Sequence, residues 1–380
     1  MAKSIKVYTE AELRKKYRGL ANKGATIIKM NDGSIRIPFR SLWLNHQTGG
    51  GSPYGKVIEI FGYESSGKTL LALELSSVTQ ELGGVVLWAD AEQCFDFNWA
   101  RLNGVEPEDV ELYDSNQVEG LSDWARDMVL FYRSKLIKNE PILLVIDSLE
   151  ALEVEEEIGA DMKDAKASYG MLKSKKINQF YRKRIEMFKK YGITVVIINQ
   201  VRQKIGATMY ENAEKTPGGD ATKFYAAIRI SLKGGSFIRG NMKRDGFVED
   251  KQKGKKFGRN VYSDIIKNKT APMRQRIATE VYFIDERYEY IGYNRYAGLG
   301  DILNDLNIIK KTKEGNKNVY KYKDKVLSRV DDFCDYIHTH PKMRAKLISK
   351  AGINTVSKTR EKIESFKGNV YAVKVGKSDE

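Results

Sequence analysis

Short apolar runs alternate with helical stretches through the middle of the chain. Lys56–Phe61 (KVIEIF), Val85–Ala89, Ile142–Ile146, Thr194–Asn199 and Tyr225–Leu232 read as strands. Between them, Thr69–Leu82, Leu121–Lys138 and Asn178–Tyr191 carry a helical period. Gly83-Gly84 and Gly192 stop two of these helices, and Pro141 opens a strand. Strands that are apolar without alternation must be covered on both sides, so the pattern predicts an α/β fold, a mostly parallel twisted sheet with helices on both faces. Two regions stand outside this rhythm at the start, a helix over Glu10–Leu20 and a β-like segment over Thr26–Ile37. Gly234–Asn260 is poor in apolar residues and reads as a long loop or an exposed hairpin. From Gly298 the pattern becomes small and mainly helical, over Asp301–Lys311, Val330–His338 and Lys342–Lys350. The expected division is an N-terminal arm (1–40), a core (41–297) and a small α+β C-terminal domain (298–380).

The 380 residues suit two or three such parts, and 41% hydrophobic residues exclude a wholly disordered chain. The longest clean apolar stretches are far shorter than the ~18 residues a membrane span needs, and the N-terminus has no apolar signal region. Two distant cysteines and three histidines offer neither a disulfide framework nor a His-rich metal site. A soluble, cytoplasmic protein is expected. Its net charge of +15 suggests a polyanionic partner, and the charge is segregated. Glu150–Met162 holds six acids and no cation, Lys163–Lys190 carries a net +8, and Lys233–Arg276 a net +9. On charge alone these are equally well solvated faces.

The most specific signal is Gly62-Tyr63-Glu64-Ser65-Ser66-Gly67-Lys68-Thr69, which fits G-x-x-x-x-G-K-[ST] and lies between a strand and a helix. Gly62 and Gly67 let the backbone of Glu64, Ser65 and Ser66 wrap with its N–H groups inward around a phosphate. The helix opening at Thr69 and Leu70 aims its positive end at the same anion. Lys68 adds a charge for the β/γ oxygens of ATP, and the Thr69 hydroxyl suits Mg²⁺. Such a site needs a further carboxylate at a neighbouring strand end. Asp147 supplies one, holding Mg²⁺ through water, although an Asp there can also cap a helix. Glu92, after the strand ending at Asp90, is a candidate to orient water. It reads equally well as an exposed loop carboxylate.

The blocks GYESSGKT, LWADAEQCFDFNWARLNGV, ILLVIDSLEAL, VVIINQVRQKIGA, TPGGDATKFYAAIRI and IIKNKTAP occur in that order. Together they resemble the RecA family of strand-exchange recombinases, from about Ser41 to Tyr293. The resemblance implies a RecA-like P-loop ATPase core, and it makes KYRGLANKGATIIKM an arm that docks on the next subunit of a helical filament. It places Glu92 as the catalytic glutamate and Gln200 as the sensor of the γ-phosphate. Asp96 and Trp99 fall where the family holds adenine, Trp99 replacing the usual Tyr. Lys267 and Lys269 match a pair reaching ATP on the neighbouring subunit. They share strand parity, so both can face one target.

The resemblance also makes Tyr169–Arg184 the first DNA loop with the helix leaving it. Lys175, Asn178 and Arg182 share one helix face suited to phosphates. The second DNA loop, 201–220, would bring Arg202, Lys204, Ile205, Gly218, Gly219 and Asp220, with Ile205 as a wedge between bases and Tyr169 doing similar work.

Departures from bacterial members are a longer, basic Gly234–Asn260, an acidic approach to the first loop, and an end at GKSDE without a long acidic tail, which implies weaker self-restraint. They lean toward a phage recombinase of the UvsX type. The implied partners are single- and double-stranded DNA, further copies of the chain, and single-strand-binding and mediator proteins. A hexameric helicase motor and a non-exchanging regulatory paralogue are the alternatives. The arm and the KNK pair weigh against the first, and intact Lys68, Glu92 and Asp147 against the second.

Overall fold

The structure, a computed structural model, describes residues 35–136, 139–158, 169–203, 214–215, 220–243, 246–249, 253–272, 277–283, 290–323 and 325–365. These belong to one compact unit that begins at Ile35. The helix expected over Glu10–Leu20, and most of the β-like segment after it, lie outside the described residues.

The chain enters through β1 (Arg36–Ile37), α1 (Leu42–Thr48) and β2 (Ser52–Pro53). It then alternates β3 (Val57–Gly62), α2 (Lys68–Glu81), β4 (Val85–Asp90), α3 (Phe97–Leu102), β5 (Val110–Tyr113), α4 (Val118–Lys135) and β6 (Ile142–Asp147). After α5 (Glu155–Ile158), α6 (Tyr169–Lys190) leads into β7 (Ile193–Gln200). A small ribbon follows, β8 (Arg202–Gln203) with β9 (Glu214–Lys215), and then α7 (Ala221–Tyr225). The long strands β10 (Ala226–Lys243) and β12 (Lys255–Asn268) flank the short β11 (Gly246–Glu249), and β13 (Ile277–Tyr282) and β14 (Gly292–Tyr293) complete the sheet. Its ten strands run β14-β13-β12-β10-β3-β7-β6-β4-β5, with β11 on β10. From β10 to β5 all neighbours are parallel, and from β10 to β14 all are antiparallel.

Side-chain alternation explains why these strands carry no polar face. Ile58, Ile60, Leu143, Val145, Val196 and Ile198 point into one core with Leu71, Leu75 and Val78 of α2. Their neighbours Val57, Ile142, Leu144, Ile146, Val195 and Ile197 point into the other, with Leu121, Ala125 and Val129 of α4 and Ile177, Phe180 and Tyr181 of α6. Each fully buried side chain contributes roughly 1.5–3 kcal/mol.

The helix expected from Asn178 begins at Tyr169, a longer element whose polar exposed face hides its start. The segment 234–260 is mainly strand: β10 and β12 run on past the sheet as a hairpin. Near the C-terminus, the expected Asp301–Lys311 helix is too long. It stops as α8 (Leu299–Asp305), and Lys310–Glu314 starts a three-stranded sheet, β15, β16 (Lys317–Tyr322) and β17 (Lys325–Arg329). Gly315-Asn316 turns its first hairpin, and the dense lysines obscure the alternation. Helices α9 (Phe333–Thr339) and α10 (Pro341–Ala351) share a core with α8, Tyr320 and Tyr322, and with Leu42 and Trp43 of α1; α11 (Val356–Ser365) follows. Among the described residues no helix is long and apolar enough to cross a membrane.

One ionic group sits inside the main sheet. Glu59 on β3 is fully buried, accepts from Asn199 Nδ2 at 3.1 Å on β7, and pairs with Arg229 on β10. The Arg229 guanidinium also lies 4.6 Å from the Phe61 ring centre. Removing one partner strands a buried charge, so Arg229→Met is expected to cost about 3–5 kcal/mol in urea denaturation. The double variant with Glu59→Gln recovers much of that loss; full additivity of the two changes would show that the pair is not coupled.

Candidate nucleotide-binding site

The parallel strands end together. Their register sets Gly62 opposite Gln200 and Asp90 opposite Asp147, so the residues closing four strands lie at one sheet edge. That edge is where open α/β sheets bind ligands.

Gly62–Thr69 links β3 to α2. Ser65 and Gly67 adopt left-handed backbone, with φ of 55° and 91°. A Cβ at Gly67 would meet the Tyr293 hydroxyl at 2.6 Å, and one at Gly62 would strike the Leu232 carbonyl. Gly62 is therefore demanded by space, and Gly67 by space as well as conformation. Lys68 donates to the carbonyls of Tyr63 (2.8 Å) and Gly62 (3.2 Å), and burial pushes its pKa down. Glu64 is exposed at the loop's lip, while Leu70 is buried and packs α2 onto the core. The Ser66 Oγ is buried without a partner among the described residues.

Beside the loop, the Thr69 hydroxyl donates to Asp147 Oδ2 at 2.9 Å. Burial pushes the Asp147 carboxyl up to about 7, with further push from Glu92 and Asp90 against the pull of the Thr69 hydrogen bond and Lys68. A hydroxyl and a buried carboxylate make an all-oxygen donor set, which fits a hard cation such as Mg²⁺. Glu92 is exposed. Its Oε1 accepts from the Ser148 hydroxyl and from Gln200 Nε2 at 3.3 Å, and its N–H bonds the Asp147 carbonyl at 3.2 Å. Asp90 shapes this turn by accepting from the N–H groups of Cys94 (3.1 Å) and Phe95 (2.8 Å). Sequence reasoning passed over Asp90 and Ser148, although an Asp at a strand end just before a turn signals such a brace.

Asp96 caps α3, accepting from Trp99 N–H at 2.6 Å. One cleft is lined by Thr69, Asp147, Glu92, Phe95, Asp96 and Trp99. The residues expected at adenine and those expected at the metal thus face the same space. Within the chain, Lys267 donates to the Lys223 and Phe224 carbonyls at the end of α7, and Lys269 Nζ lies 5.9 Å from the Phe224 ring centre. Burial lowers the Lys267 pKa, helped by the charges of Lys269 and Arg229.

Along α6, Lys175, Asn178 and Arg182 are all exposed. The other flank is neutralised: Lys176 pairs with Glu119 (2.8 Å) and Glu156 (3.2 Å), Arg184 with Asp123 (2.8 Å), and Lys173 donates to the Glu150 carbonyl. Tyr169 opens this helix, and the Arg202 backbone pairs with Lys215 in the ribbon β8–β9. Lys204, Ile205, Gly218 and Gly219 lie outside the described residues. Asp220 is exposed and pairs with Lys223 at 3.0 Å.

Glu74, on the buried stripe of α2, was also missed; a charge amid LLALELSS was its signal. Its Oε1 accepts from Tyr293 N–H at 2.8 Å, and the Tyr293 hydroxyl donates to the Gly67 carbonyl at 3.1 Å. Burial pushes Glu74 up to about 7, against the Tyr293 hydrogen bond and the charges of Arg40 and Arg295. A carboxyl raised in the folded state holds its proton there longer than in the unfolded chain. Stability is therefore lost as pH rises from about 4.5 toward 7 and stays reduced above. Glu74→Gln should stabilise the protein at pH 8 by on the order of 3 kcal/mol and far less at pH 5. Thermal melts at both values check this, and an equal effect at each would refute it.

The family described as RecA N-terminal domain matches residues 23–286. Protein RecA of Bacteroides thetaiotaomicron is 33% identical over 337 residues, covering 87% of this chain and 92% of that protein. Protein RecA of Geobacter metallireducens is 32% identical over 316 residues, covering 83% and 84%. Protein RecA of Ruminococcus albus is 33% identical over 364 residues, covering 92% and 83%.

Proposed function

Because this chain belongs to the RecA family of recombinases, we propose that it is an ATP-dependent homologous recombinase. It forms helical filaments on single-stranded DNA, pairs that strand with homologous duplex and exchanges strands, hydrolysing ATP at subunit interfaces in a DNA-stimulated reaction. The observation that carries this reading is the hydrogen bond from Gln200 to Glu92, at the strand end from which segment 201–220 departs. It ties a carboxylate beside Asp147 and Thr69 directly to the start of the expected DNA loop.

In this reading Lys68 and the loop N–H groups would hold the triphosphate, Thr69 and Asp147 would hold Mg²⁺, and Trp99 would stack on adenine near Asp96. Bound Mg²⁺ supplies positive charge to the phosphate oxygens. Glu92 orients the attacking water and is steadied by Ser148. A Gln200 that turns toward the γ-phosphate leaves Glu92, which carries the nucleotide state into segment 201–220. Lys267 and Lys269 reach the nucleotide of the neighbouring subunit, and residues 1–40 form the arm that docks on it, followed by the core (41–297) and the C-terminal domain (298–380). Lys175, Asn178 and Arg182 follow the DNA backbone, joined by Tyr169, Arg202, Lys204, Ile205, Gly218, Gly219 and Asp220. The protein works in the cytoplasm with single-strand-binding and mediator proteins, and its basic 234–260 segment and the acidic approach to α6 fit a phage recombinase.

Steady-state ATP hydrolysis measured against protein concentration, with and without long single-stranded DNA, tests the whole reading. Strong, cooperative stimulation is expected, whereas DNA-independent turnover would point to a different motor. Lys68→Ala should abolish both hydrolysis and strand exchange. Glu92→Gln should keep ATP and DNA binding while hydrolysis falls at least ~100-fold; an unchanged turnover removes Glu92 as the base. Replacing Lys175 and Arg182 together by Ala should weaken DNA binding at every sequence and flatten its log–log salt slope by about 1.4, at ~0.7 per phosphate contact on a single strand.

A further inference from the structure

Arg259 belongs to the basic hairpin, yet it touches the phosphate loop of its own chain. It sits on β12 opposite Phe237 of β10. Its Nε donates to the Gly235 carbonyl at 2.8 Å, and its Nη1 donates to the Ser65 carbonyl at 3.2 Å. The guanidinium carbon lies 5.4 Å from the centre of the Phe237 ring, and Lys256 Nζ lies 4.5 Å from the same centre.

The backbone opposite is shaped to admit this side chain. The β10–β12 register slips between Gly234 and Phe237, and a Cβ at Gly234 would stand 2.5 Å from the Arg259 guanidinium carbon. A Cβ at Gly235 would crowd Tyr262 at 2.9 Å. Gly234 thus leaves the trough through which the guanidinium passes on its way to the loop.

We propose that Arg259 is a positioning residue of the nucleotide site, acting within one subunit by clamping the phosphate loop at Ser65. The proposal rests on the reading of Gly62–Thr69 as the ATP site. Ser65 holds a left-handed conformation that a non-glycine residue adopts at a cost, and a charge-assisted hydrogen bond to its carbonyl secures it there. The same bond polarises the Ser65–Ser66 peptide. The Ser66 N–H, one of the groups that wrap the phosphate, becomes the stronger donor. The permanent charge of Arg259 also adds to the field at the loop, in a fork geometry that a lysine cannot reproduce. Arg259 acts through Ser65, so its removal changes nucleotide affinity rather than the chemical step.

The test uses the full chain, with KM and kcat for ATP measured on saturating single-stranded DNA and ATP affinity measured without DNA. Arg259→Ala is expected to raise both KM and the dissociation constant about tenfold while kcat stays within about twofold. Arg259→Lys should restore affinity only in part. Gly234→Ala leaves the charge in place but pushes the guanidinium off its trough, and it should reproduce the affinity loss. Lys256→Ala removes a neighbouring charge on the same ring and should leave KM unchanged. An unchanged KM in both Arg259→Ala and Gly234→Ala overturns the proposal. So does an equal loss in Lys256→Ala, which would make the effect one of general hairpin charge. A wild-type chain that failed to bind ATP would instead overturn the reading of the phosphate loop itself.

Discussion

The parallel pairing of β3 with β7 and β10, and of β6 with β4 and β7, is the constraint on which the rest of the molecule depends. Equal register makes the strands finish at one edge, so Gly62, Asp90, Asp147 and Gln200 meet although they are far apart in sequence. The pairing also brings the Leu232 carbonyl so close to Gly62 that no side chain fits between them. The loop can then turn sharply into α2, whose positive end faces the same edge. Everything proposed for the nucleotide is built on that edge.

Charge is distributed with the same economy. Acidic residues before α6 do not merely lie next to the basic ones; they neutralise one flank of the helix through Lys176 and hold Lys173 by a backbone carbonyl. The opposite face keeps Lys175 and Arg182 in water. Deeper in, Arg229 is committed to Glu59 and Arg259 to backbone carbonyls, so those cations hold elements in place. The raw excess of +15 does not distinguish these roles; position within the fold does.

Two carboxyls, Asp147 and Glu74, are both pushed up to about 7 by burial, and their surroundings give the shift different meanings. Asp147 faces the cleft beside Thr69, where a cation would favour its charged form. Glu74 faces the Tyr293 backbone between α2 and β14, and it braces the helix that carries the loop. The first opens on the cleft, and the second trades some stability at high pH for a fixed loop.

The sequence by itself determined the layered α/β fold and the strand–loop–helix around Gly62–Thr69, because both follow from local signals. Apolar runs such as ILLVID need two covered faces, and G-x-x-x-x-G-K-T needs a strand before it and a helix after it. It also placed Lys175, Asn178 and Arg182 on one face, since helical spacing alone decides that. It did not reveal where the basic 234–260 segment goes, because long lysine-rich strands lack the apolar alternation that marks a buried sheet. Nor did it expose the sheet of β15–β17, for the same reason, or the start of α6, where the helix face is polar and exposed. Only the tertiary structure decided that Ser148 and Gln200 share Glu92, that Tyr293 joins Glu74 to the loop, and that Arg259 reaches Ser65. Those contacts join residues up to 226 positions apart, as Gly67 and Tyr293 are. No local period encodes them; strand order and register, set by how the whole sheet packs, bring them together.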